Sequence, residues 1–143
     1  MEATAKGQFY ASRYEAERLE DGLKKKKWYI TEGGPDFSIY ESKDGGKVKF
    51  SKLAHDAYDG FNIEIIKATD PAALAEYFNE IGNVDIAYLI ELSGQKGRVQ
   101  FARHFMMSRR TVENWFYGGN KPQQHMIYLL EMAIRAEIER ETQ

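Results

Sequence analysis

The chain has 143 residues, 43% of them hydrophobic and 29% charged, a balance that excludes a disordered polymer and fits a folded one. With no cysteine there is neither a disulfide framework nor a thiolate metal site, and the three histidines (His55, His104, His125) stand at no metal-ligand spacing, so no metal or cofactor is expected. No apolar run approaches the roughly 18 residues of a membrane span and the start lacks a secretory apolar core, so the expectation is a cytoplasmic protein with no membrane contact.

The net charge of −2 is unevenly spread. Between Gln95 and His125 six cations (Lys96, Arg98, Arg103, Arg109, Arg110, Lys121) face the single acid Glu113, leaving −7 for the remainder. A basic segment in an acidic chain suits an electrostatic footprint on phosphate, and equally a solvated basic face without a partner.

In chain order, residues 1–10 show no clear period and are expected to be frayed. Ser12 is placed to cap a helix through about Leu23, with Tyr14, Ala16 and Leu19 on one face and Glu15, Glu17, Arg18 and Glu20 outside. The four lysines at 24–27 break this pattern and read as a solvated connector. Trp28 and Ile30 then alternate with Tyr29 and Thr31 up to Gly33-Gly34-Pro35-Asp36. Phe37 and Ile39 alternate with Ser38 and Tyr40, and Val48 and Phe50 with Lys47 and Lys49 after the hairpin signal Asp44-Gly45-Gly46. A fourth alternating stretch covers 61–66. Asp70 as N-cap and Pro71 at the first helical position open a helix whose apolar face is Leu74, Tyr77, Phe78 and Ile81, ended by Gly82. The Lys47/Lys49 face, with Lys43 and Lys52 near it, suits nucleic acid, yet any one-sided sheet has such a polar face.

From residue 83 the period is helical. Val84, Ala87, Tyr88 and Leu92 outline one helix, stopped at Ser93-Gly94. A second begins near Arg98, with Val99, Phe101, Ala102 and Phe105 inward. A third starts at Ser108 and buries Val112 and Trp115 before Gly118-Gly119-Asn120-Lys121-Pro122. A fourth runs from Pro122 to about Glu139 with an apolar stripe of Met126, Ile127, Leu130, Ala133, Ile134 and Ile138. Ile134 and Ile138 extend past what closing the bundle needs and are candidates for pairing with a second copy. The expected fold class is α+β: a small antiparallel sheet with helices, followed by an all-α helix-turn-helix bundle. The expected segments are 1–23 (helical), 24–82 (sheet plus helix) and 83–143.

The stretch from Phe101 to Trp115, continuing through Phe116-Tyr117-Gly118 to Lys121-Pro122, resembles the helix-turn-helix of the Cro and phage-repressor (Xre-type) family. The resemblance covers about residues 84–138. Ala102 takes the small-residue position where two helices approach closely, Ser108 caps the recognition helix, and Val112 and Trp115 take its core-facing positions. Gly118 and Lys121-Pro122 form the exit loop. One position departs from the pattern: the turn residue, usually a glycine with positive φ, is Met106.

The resemblance implies double-stranded DNA as partner, read by Arg109, Arg110, Glu113 and Asn114 on the outward face of the third helix. Arginine offers two parallel bonds to guanine, asparagine bridges adenine, and a glutamate accepts from cytosine or orients a neighbouring arginine. Arg98 and Lys121 match phosphate-gripping positions, with Ser108, Thr111 and Tyr117 as further phosphate contacts. It also implies a homodimer on a palindromic operator. Phe116 stands where the family is normally polar and suggests contact with another surface. No nucleophile–base pair or phosphate-cradling loop points to an enzyme. The expectation is a transcriptional regulator, most simply a repressor. The alternative is an inhibitor or adaptor whose sheet domain binds another protein, the helix-turn-helix serving autoregulation or scaffold.

Overall fold

The computed structural model describes residues 1–142, in two compact units, Met1–Asn83 and the chain from Val84 onward. The first unit runs β1 (Gln8–Ala11), α1 (Arg13–Lys25), β2 (Tyr29–Gly33), β3 (Phe37–Glu41), β4 (Lys47–Lys52), β5 (Phe61–Lys67) and α2 (Pro71–Gly82). The second holds α3 (Ile86–Ser93), α4 (Arg98–His104), α5 (Arg109–Phe116) and α6 (Gln124–Glu141). A sheet unit followed by a helical one is the α+β arrangement expected.

The sheet is antiparallel throughout, in the order β1-β5-β4-β3-β2. The alternation read in the sequence holds for β4 and β5 but is out of phase in β3, where pairing opposite Val48 puts Tyr40, and not Phe37 or Ile39, in the core; Ile30 of β2 is exposed. Phe9, Ala11, Tyr40, Val48, Phe50, Ile63 and Ile65 point to one side. There they meet Ala16, Leu19 and Leu23 of α1 and Leu74, Ala75 and Phe78 of α2, so residues 1–23 share one core with the sheet. Asp70 caps α2 as the sequence implied, its carboxylate accepting from the Ala73 amide at 3.0 Å.

Residues 1–10 are not frayed. β1 pairs with β5, with Phe9 opposite Ile63, and Met1 and Ala3 are buried. Four residues carry too little alternation to register as a period, and the hydrogen bonds that fix the segment come from far along the chain. The Asn79 side chain accepts from the Ala3 amide at 2.7 Å and donates to its carbonyl at 3.2 Å. Asn83 donates to the Met1 carbonyl at 3.0 Å. Glu15, expected outside, is buried instead. One of its oxygens accepts from the Ser12 amide at 3.0 Å, closing a capping box, and the other lies 3.4 Å from the Met1 amino group.

In the second unit Ile86, Leu89, Ile90, Phe101, Ala102, Val112, Ile127, Leu130 and Ile134 form the core. The inward face of α3 differs from the expected one, for Ala87 and Tyr88 are exposed. Asp85 is the N-cap, accepting from the Tyr88 amide at 2.9 Å, so the helical register starts after Val84 and a period counted from Val84 is out of phase. Gly94 stops α3 in the left-handed conformation at φ 76°. Two expectations for α6 also change. Ala133 is exposed, and Ile134 is 1% exposed within the unit's own core, because α3 packs along α6 at that level. Ile134 is therefore not a free surface for a second copy, and Ile138 packs partly against the same core. No helix among the described residues is long and apolar enough to cross a membrane.

Candidate nucleic-acid interface

The geometry of α4, its turn and α5 follows from how α4 ends. The amide of Met106 donates to the Arg103 carbonyl at 3.2 Å and that of Met107 to the Ala102 carbonyl at 2.8 Å, the paired closure of a Schellman turn. Such a closure requires the residue that gives the first of these amides to be left-handed, and Met106 is, with φ 55°. Its side chain is 95% exposed. Ser108 follows in an extended conformation, its hydroxyl accepting from the Thr111 amide at 3.5 Å, and α5 begins.

Val112 anchors α5 in the core and Trp115 packs partly against the same cluster. Given the 100° step of a helix, this directs positions 109, 110, 113 and 114 elsewhere. Arg109 and Arg110 are exposed, and Thr111, Glu113 and Asn114 are half-buried. Arg109 Nε lies 3.0 Å from Glu113 Oε1, one turn along, so Glu113 orients this arginine. Arg110 protrudes beside them, and Lys121 is exposed in the loop after α5.

Arg98, in the first turn of α4, reaches the far end of α5. Its guanidinium carbon lies 4.7 Å from the Phe116 ring centre and 4.9 Å from that of Tyr117. These two rings meet edge to face at 5.3 Å. Stacking on two aromatic faces fixes the guanidinium plane and ties the start of α4 to the end of α5. Arg98 Nε is buried without a hydrogen-bond partner among the described residues. Phe116 thus has a partner inside the unit while remaining 39% exposed, and Tyr117 is more exposed still. An arginine and two aromatics eighteen and nineteen residues further on carry no periodic signal, so the sequence did not indicate this contact. The same holds for His104, whose Nε2 lies 2.9 Å from both carboxylate oxygens of Glu137 and links α4 to α6.

One helical unit thus brings together Arg98, Ser108, Arg109, Arg110, Thr111, Glu113, Asn114 and Tyr117 on α4, α5 and their ends, with Lys121 in the following loop. The arrangement supplies a row of donors on a short, firmly anchored helix, with a stacked arginine at its end. Compared with family models, curated proteins and solved structures, the chain matches none.

Proposed function

We propose that the chain binds double-stranded DNA in a sequence-specific manner and acts as a transcriptional regulator, most simply a repressor that occludes a promoter. The reading rests on one observation: α5 is anchored by Val112 and Trp115 while Arg109, Arg110, Glu113 and Asn114 line its other side. A helix presented in this way enters a major groove, where arginine and asparagine match the edges of guanine and adenine. Arg98 and Lys121 serve the phosphates flanking that groove, Arg98 with its plane already set by Phe116 and Tyr117. A homodimer on a palindromic site accompanies this reading, through a surface other than Ile134.

Selection of bound sequences from a random duplex pool tests it, comparing the intact chain with Arg109→Ala/Arg110→Ala. Enrichment of a paired motif that the variant loses is the expected result. No enrichment from the folded intact protein would reject the reading and favour an inhibitor or adaptor that acts on another protein.

A further inference from the structure

The fold gathers lysines from three separate segments at one end of the sheet unit. α1 ends in Lys24 and Lys25, followed by Lys26 and Lys27; Lys43 lies in the β3–β4 turn, Lys47 opens β4 and Lys67 closes β5. Lys26, Lys27 and Lys43 line one surface hollow of about 440 Å³, together with Trp28, Ser42 and Asp44. Lys67 Nζ reaches within 3.8 Å of the space above Gly45, in the same turn. Lys47 is engaged by Glu41 at 3.8 Å, and Lys26 Nζ sits 4.3 Å from the Tyr77 ring centre. Lys25, Lys27, Lys43 and Lys67 are exposed and form no ion pair with any described residue.

We propose that this lysine-lined end is a second nucleic-acid contact, gripping the phosphate backbone of duplex DNA without reading its sequence. Like charges drawn together by the fold repel one another until a polyanion neutralises them, and regularly spaced phosphates do so while releasing counterions. The platform is firm. The Trp28 ring occupies the space where a side chain at position 46 would lie, 2.5 Å from an ideal Cβ there, so Gly46 lets the start of β2 seat on the turn. Asp44 is committed, accepting from the Ser42 hydroxyl within that turn and from the Thr69 hydroxyl just after β5. These two bonds hold its carboxyl below the usual range. Counting Glu20, Asp21, Glu41, Asp44 and the α2 cap Asp70 against the seven lysines leaves this end at +2. Trp28, the aromatic side chain that lines the hollow, packs against the core of the sheet unit.

The test titrates a labelled duplex of random sequence with the full chain over a range of salt, beside Lys27→Gln/Lys43→Gln/Lys67→Gln. Because each neutralised phosphate contributes about 0.9 to the log–log salt slope, the triple variant is expected to lower that slope by about 2–3 and to weaken low-salt binding roughly tenfold or more. The Lys→Arg triple should keep both. Unchanged slope and affinity in the Gln variant would overturn the proposal. So would unchanged duplex binding accompanied by lost binding to phosphatidylserine vesicles, which would assign the surface to a membrane. Repeating the series in the Arg109→Ala/Arg110→Ala background separates the two readings. If sequence preference proves absent while the lysine-dependent slope persists, the α5 reading falls and this one stands.

Discussion

Met106 closes α4 in a conformation where a Cβ crowds the following carbonyl, at a cost of about 1–2 kcal/mol, and its side chain is almost fully exposed. Glycine removes that crowding and adds about 0.5–1 kcal/mol of unfolded-chain entropy. Met106→Gly is therefore expected to stabilise the helical unit by about 0.5–1 kcal/mol. The urea midpoint followed by Trp115 fluorescence in a Trp28→Phe background measures this, and a lowered midpoint would contradict it. Tyr40 is a second informative residue. Burial, helped by the nearby Glu20 and Asp21 carboxylates, pushes its hydroxyl from 10.0 up to about 12. A group raised on folding contributes stability that is complete below its unfolded value and lost as pH rises through its folded one. Stability should therefore fall between about pH 10 and pH 12, and Tyr40→Phe should flatten that part of the profile. Parallel profiles for the two proteins would refute the assignment.

At the scale of elements, what was legible in the sequence is what local chemistry decides. Asp70-Pro71 starts α2, Gly94 stops α3, Ser108 caps α5 and the 44–46 turn joins β3 to β4, each through contacts within a few residues. The misread elements depend on partners distant in the chain. β1 exists because β5 offers an edge and Asn79 and Asn83 hold the segment before it. Ile134 is buried because α3 lies along α6, which no period within α6 reveals. The candidate interface divides in the same way: α5 follows from its own pattern, whereas the stacking of Arg98 on Phe116 and Tyr117 exists only in three dimensions. Glu15 tests the long-range part. Glu15→Ala removes the acceptor for the Ser12 amide and one of the partners of the Met1 amino group, which keeps its bond to the Asn83 side chain. It should cost about 1–3 kcal/mol and raise hydrogen exchange first in β1 and the first turn of α1. Exchange that rises uniformly would mean that this corner is not a local anchor.

At the scale of the whole molecule, the two units have separate cores, one under the sheet and one among α3 to α6. The second, of about 60 residues, is near the small end of what one hydrophobic core supports, so it should fold alone but with little stability to spare. The two contacts proposed above also fall one on each unit, α5 on the helical one and the lysine-lined end on the sheet one. Affinity from phosphate and specificity from base edges are physically separable terms. A fragment beginning at Val84 is therefore expected to unfold cooperatively and to prefer the same selected sequence over random duplex. Its log–log salt slope should be smaller than that of the full chain by about 2–3. Competition binding of the fragment and the full chain to selected and random duplexes measures both quantities together. A fragment that folds but loses its sequence preference would place part of the reading in the sheet unit. A fragment with the full salt slope would return the whole phosphate contact to Arg98, Lys121 and their neighbours.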